Sequence, residues 1–182
     1  QGEPVAYLNA SSYLTARIIR ENDWKQPIHF AVTVAPQTLI GLENYMKTQG
    51  MVFLLTRDRH EDGYGFDIPS LERNLFGKYR YTGVTDSSVY KDNETSKLLR
   101  NYFVSYVDLC RAYLETGDRD NAARTARAAI ELTLSDLDRR IILYRILDRN
   151  GLSVEAARMV DEELARYSMD DAEHMIDIGT RF

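Results

Sequence analysis

The second half of the chain repeats itself. Leu109 is matched by Leu143, Gly117 by Gly151, Ala122 and Ala123 by Ala156 and Ala157, and Ile130 by Leu164, each pair 34 residues apart. From Asn93 onward there is no Pro, and Gly occurs only at 117, 151 and 179. Pro removes a helical donor, and Gly ends helices by taking a left-handed backbone, so this spacing reads as long helices punctuated by turns. Each unit sets a bulky residue first, then Gly at the turn, then Ala where neighbouring helices must approach closely.

Period and order together are the tetratricopeptide signature. In the first copy, YVDLCRAYLETGDRDNAARTARAAIEL supplies Tyr106, Leu109, Tyr113, Gly117, Ala122 and Ala129 at the expected positions. The second copy, from Leu137, is weaker, with Leu147 where Tyr is usual. Two repeats fall short of the roughly three that such a stack needs. The leading helix, roughly Glu94 to Glu115, and the closing segment DDAEHMIDIGTRF are therefore expected to cap it.

The first half alternates helix and strand signals. SSYLTARIIREN has a Ser cap and places positions 14, 15, 18 and 19 on one expected apolar face. Pro27 forces Gln26 out of helical geometry, and IHFAVTV then reads as a strand. PQTLIGLENYMKTQG reads as a helix from Pro36 to Gly50, and MVFLLTR as a second strand. Strand, helix, strand with short connections predicts a βαβ unit with parallel strands and a right-handed crossover. A loop follows over Arg57–Asp67, then a short helix in PSLERNLFGKY, and a further strand is expected at Tyr79–Val84. The expected architecture is α+β: a small α/β part, residues 1–92, packed on a helical repeat array, residues 93–182.

Composition excludes several functions. Acidic residues outnumber basic ones, 28 to 23, for a net charge of -5, which is not the basic footprint of a nucleic-acid binder. Cys110 is the only cysteine, so an intrachain disulfide and a thiolate-built zinc site are both ruled out. No apolar run approaches the roughly 20 residues of a membrane span. The opening QGEP has no signal-peptide character and no Met, so the chain is expected to be a piece of something longer.

Candidate chemistry is sparse. His29 lies within a strand with no nucleophile or orienting carboxylate evident beside it, which favours a structural or surface histidine. Asp58, Glu61, Asp62 and Asp67 crowd one loop but lack the spacing of a calcium-binding hand. The Gly63-Tyr64-Gly65 run lacks the spacing of a phosphate loop. Cys110, mid-helix beside Leu109, reads as a packed small hydrophobe. No catalytic residue, cofactor or metal is therefore assigned. The repeat register instead predicts a face made by Val104, Val107, Arg111 and Glu115 of the first copy and Asp138, Ile141, Arg145 and Arg149 of the second. Such a face either holds peptides, its charges forking to carboxylate or backbone, or covers the α/β part and solvent.

The segments NDWKQPIHFAVTVAPQTLIGLENYMKTQGMVFLL and NLFGKYRYTGVTDSSVYKDNETSKLLRNYF carry a resemblance. Through Asn22, Trp24, Pro27, Ile28, Phe30 and Ala31, then Gly41, Leu42, Tyr45, Gly50 and Leu54, the chain resembles the soluble C-terminal region of a bacterial multi-pass membrane protein family. It continues through Tyr79-Arg80-Tyr81, Tyr90-Lys91-Asp92 and Asn101-Tyr102. That family is common in Bacteroidetes, is labelled a domain of unknown function, and is similar to a vertebrate transmembrane protein O-mannosyltransferase. Gln26 and His29 depart from its pattern, which more often has Arg and Tyr there. The resemblance implies a glycosyltransferase core of the GT-C type in a transmembrane part outside this chain, with no catalytic position matched here. It further implies a periplasmic location, the parent's own transmembrane domain as a partner, and acceptor proteins or peptides held near the active site. A protein–protein scaffold unrelated to sugar transfer is the alternative.

Overall fold

The computed structural model describes residues 10–39, 41–61, 63–86, 88–132 and 137–165, with residue 137 described for its backbone alone. The chain divides into compact units at residues 1–67 and 68–182. The closing segment expected to cap the repeats lies outside the described residues.

In the first unit, helix α1 (Ala10–Asn22) precedes strands β1 (His29–Ala31), β2 (Met46–Thr48), β3 (Val52–Leu55) and β4 (Gly65–Phe66), arranged in one sheet of order β1-β3-β2-β4. The βαβ expectation is overturned. β1 runs antiparallel to β3, pairing Phe30 with Phe53, and the expected crossover helix is absent. Short 3-10 turns at Pro36–Thr38 and Glu43–Tyr45 stand in its place, with β2 after them. The cause is local: Gly41 sits at φ +79°, a left-handed backbone that interrupts any helix through it. Gly50, at φ +110°, then closes a tight β2–β3 hairpin in which Gln49 N–H donates to the Val52 carbonyl at 2.9 Å. Among the described residues, the one parallel pairing joins β2 to β4.

Phe30, Leu39, Met46 and Leu55 form the core of this unit, flanked by Ile19, Ile28, Leu42 and Tyr45. The expected apolar face of α1 splits. Ser12 is buried and donates to the Gln37 carbonyl at 3.0 Å, and Ile19, seven residues on, faces the same core. That orientation turns Leu14 and Ile18 outward, 55% and 59% exposed.

In the second unit, α2 (Ile68–Glu72) runs into a π-helical turn at Arg73–Lys78. The wide turn leaves the Leu75 carbonyl available, and the hydroxyls of Tyr81 and Tyr106 both donate to it, at 2.9 and 3.1 Å. Burial raises the hydroxyl pKa of both tyrosines. Tyr79 and Tyr81 meet Tyr102 edge-on, with centroids 5.6 and 5.5 Å apart. These ring contacts replace the strand expected at Tyr79–Val84, which is not formed. They also pin the aromatic segment to the helix that follows it, within the unit that begins at Ile68.

That helix, α3 (Asn93–Glu115), forms a hairpin with α4 (Arg119–Glu131), and α5 (Leu137–Arg149) forms a second with α6 (Ser153–Leu164). Short turns force each pair antiparallel. Gly117 and Gly151, at φ +77° and +78°, hold the left-handed turn position in each. Leu109, Leu143, Ala122 and Ala156 are all fully buried, so the matching positions of the two copies do matching work. The copies differ in polar detail. Asp118 caps α4 by accepting from Asn121 N–H at 3.2 Å, whereas Leu152 stands at the equivalent position before α6 and offers no side-chain cap. A buried ion pair, Arg140 with Glu163, occupies the positions held in the first copy by Tyr106 and Ala129.

The hairpins are tied together by Arg127 of α4, whose guanidinium reaches Glu155 at 2.6 Å and Glu162 at 3.0 Å on α6. Burial pushes the Glu155 carboxyl up, but hydrogen bonds from Arg127 and Arg158 outweigh it and hold the pKa below the ordinary carboxylate value. A carboxyl with a depressed folded pKa stabilises fully above its unfolded pKa and loses that contribution as pH falls through the folded value. Glu155→Gln should therefore lower the urea midpoint at neutral pH and converge on the wild type in acid. A gap between the two curves that persists unchanged into acid would contradict this.

Candidate functional site: a charged helical face and an apolar cleft

The residues assigned from the repeat register fall on α3 and α5. Arg111 and Glu115 lie one turn apart on α3, and Asp138, Arg145 and Arg149 follow a helical stripe of α5. All five side chains are exposed. Arg111 and Arg145 occupy equivalent positions of the two copies, as do Glu115 and Arg149. The guanidinium of Arg139 on α5 lies 5.9 Å from the Phe103 ring centroid on α3. The apolar members of the face shift by a residue. Val104 is 44% exposed, but Val107 and Ile141 are buried, and Ile142 takes the outward place at 47%. A face of alternating charge with a few apolar patches can hold an extended polypeptide through forked ion pairs and shallow apolar contacts.

Sequence reasoning missed a second arrangement, in the first unit. A cleft of about 280 Å³ is lined by Ile19, Trp24, Leu42, Tyr45, Leu55, Thr56 and Arg57. Asp23 and Trp24, just past the end of α1, both hold left-handed backbones at φ +47° and +58°. Consecutive non-glycine residues in that region are strained, at about 1–2 kcal/mol each. The strain is held in place by Asn22, whose amide donates to the Gln26 carbonyl at 2.8 Å and whose carbonyl accepts from Lys25 N–H at 2.9 Å. Trp24 is thereby placed at the cleft, 42% exposed, with the Arg57 guanidinium 5.1 Å from its ring. The sequence signal was the run Asn-Asp-Trp closing an otherwise regular helix without glycine.

The remaining candidates are placed as follows. His29 is exposed, its Nε2 3.2 Å from the Gln49 side-chain oxygen, and Gln49 in turn donates to Asp67 at 2.7 Å. Of the acidic loop, Asp58 lies 3.9 Å from Lys47, Asp67 accepts from Gln49, and Asp62 lies outside the described residues. Among the described residues, no group of three or more His, Cys, Asp or Glu could hold a metal ion. Cys110 is buried, and burial pushes its thiol up to about 12 despite the nearby Arg111. Such a thiol is not a nucleophile near neutral pH. No helix among the described residues is long and apolar enough to cross a membrane.

No curated protein and no solved structure matches the chain. Residues 4–67 match the family model described as TMEM260-associated domain 2. The match ends at Asp67, where the first compact unit also ends, and it holds α1, the sheet and the Trp24 cleft. It fits a TMEM260-related family.

Proposed function

We propose that the chain is a non-catalytic, extracytoplasmic C-terminal domain of a membrane glycosyltransferase-like protein related to protein O-mannosyltransferases, and that it positions acceptor polypeptides. In this reading the parent is a bacterial, Bacteroidetes-type protein and the domain faces the periplasm. The observation that carries the reading is the match of residues 4–67 to a TMEM260-associated domain. The helical hairpins act as tetratricopeptide-like repeats, and Arg111, Glu115, Asp138, Arg145 and Arg149 form the face that takes the acceptor. Their exposure and the equivalence of Arg111 with Arg145 support that role. Chemistry belongs to the transmembrane part of the parent, and the buried, high-pKa thiol of Cys110 is in keeping with a domain that makes no bonds itself.

The test combines binding with turnover. On an array of acceptor peptides, Arg111→Glu with Arg145→Glu should weaken capture by about tenfold or more, the scale of a lost charged hydrogen bond. Unchanged capture of every peptide would refute the charged face. The isolated chain, given lipid-linked mannose and an acceptor peptide, should show no transfer, and turnover by it would refute the accessory assignment. In the full-length parent the same charge reversal should slow transfer to protein acceptors. A parent whose transfer is unaffected while capture is lost would favour a scaffold unconnected with sugar transfer.

A further inference from the structure

We propose that the Trp24 cleft is a binding site for an apolar side chain, aromatic or branched aliphatic, carried by a polypeptide beside a carboxylate. The side chain enters the cleft and the carboxylate meets Arg57. This site lies in the first unit and does not depend on the charged face of the helical hairpins.

Size is the first argument. An apolar cavity of about 150 Å³ is enough to take benzene, and this cleft offers about 280 Å³. Lining is the second. Ile19, Leu42, Leu55 and the rings of Trp24 and Tyr45 present apolar surface. The Thr56 hydroxyl, 3.1 Å from both the Tyr45 and Asp58 carbonyls, has its proton committed to backbone. A sugar would bring several hydroxyls into a site with few partners for them, and unpaired buried polar groups are costly. An apolar side chain meets no such cost.

Charge supplies the third argument. No carboxylate lies within ion-pair distance of Arg57 among the described residues, and its guanidinium lies near the Trp24 ring. A guanidinium stacked on an aromatic face keeps its edge N–H groups for a carboxylate fork. Asp58, the adjacent acid, lies instead toward Lys47. The strained Asp23-Trp24 turn is the fourth: a helix end that could relax with glycine instead holds the indole at the cleft.

Trp24 is the only tryptophan in the chain, so its indole N–H resonance reports on this site alone. The whole chain would be titrated with acetyl-Gly-Gly-Leu bearing a free C-terminal carboxylate, with the same peptide as its amide, with acetyl-Gly-Leu-Asp-Gly-amide, and with methyl α-mannoside. Both carboxylate peptides should shift the indole signal saturably and bind about tenfold more tightly than the plain amide. The relative strength of the two shows whether a chain terminus or an acidic side chain is preferred. Arg57→Gln should erase the advantage of the carboxylate without changing the circular dichroism spectrum, and Arg57→Lys should restore part of it. Equal binding of all the peptides, a response to the mannoside alone, or no saturable shift would each overturn the proposal. So would an indole shift that follows protein concentration without peptide, because a second copy would then be the occupant.

Discussion

Glu163→Ala should lower the unfolding free energy of the helical unit by about 3–5 kcal/mol. Glu163 is 2% exposed and its partner Arg140 only slightly more so, and their charges meet directly between α6 and α5. Removing the carboxylate leaves the guanidinium buried with less compensation, and that loss is the source of the cost. Glu163→Gln, which keeps the shape and removes the charge, should lose most of the same amount. The first copy supplies the rescue: Tyr106 and Ala129 stand where Arg140 and Glu163 stand in the second, and both are buried. Arg140→Phe combined with Glu163→Ala should therefore recover part of the loss, because it removes both charges and keeps the ring without the hydroxyl, which in Tyr106 needs the Leu75 carbonyl. Urea unfolding followed by helical circular dichroism measures all the variants. A cost below about 1 kcal/mol for Glu163→Ala would mean that the pair behaves like an exposed one.

The same pair shows where sequence reasoning stopped. The 34-residue offset located both hairpins and their turns, because Leu109 and Leu143, Gly117 and Gly151, and Ala122 and Ala156 are constrained by close helix approach, which few residue types satisfy. Arg140 and Glu163 were invisible, since charged residues on a helix ordinarily face solvent and only a three-dimensional partner brings them inside. The sheet was misread for a related reason. Pro36, Leu39, Leu42 and Met46 have helical spacing, and their periodicity outweighed the single residue, Gly41, whose left-handed backbone breaks the helix. Leu39 and Met46 reach the core all the same, but through turns and a strand. On α1, positions 14, 15, 18 and 19, apolar but for Thr15, share one helical face, yet the Ser12–Gln37 bond fixes the roll so that Leu14 and Ile18 point outward. Arg111, Glu115, Asp138, Arg145 and Arg149 are exposed, and outward positions of a helix can be read from its period alone. The Trp24 cleft was not legible, because it joins the end of α1 to β3 and the residues after it, and no local pattern couples those segments.

Gly65→Ala should cost the first unit about 1–3 kcal/mol, the usual range for forcing an extra methyl into filled space. A Cβ at this position would sit 2.6 Å from Cε1 of His60 and 2.8 Å from both ring nitrogens, closer than nonbonded atoms can approach. The loop that carries the imidazole has little room to retreat. Its own backbone is held on both sides, with His60 N–H donating to the Asn44 carbonyl at 2.7 Å and Asn44 Nδ2 donating to the His60 carbonyl at 2.9 Å. Gly65 is equally fixed, paired with Lys47 in the parallel β2–β4 ladder. The methyl must therefore open the ladder, displace the loop, or turn the ring. Trp24 fluorescence reports this unit, so the loss should appear as a lower denaturant midpoint with the helical signal of the second unit as an internal reference. His60→Ala in the Gly65→Ala background should return most of the loss, because it removes the atoms the methyl would strike. His60 Nε2 is buried without a hydrogen-bond partner among the described residues, so deleting the ring should cost little by itself. Gly77→Ala, where an added Cβ meets nothing within 4 Å, serves as the steric control. If Gly65→Ala proves as silent as that control, the His60 ring is free to swing away and the loop is looser than its hydrogen bonds imply.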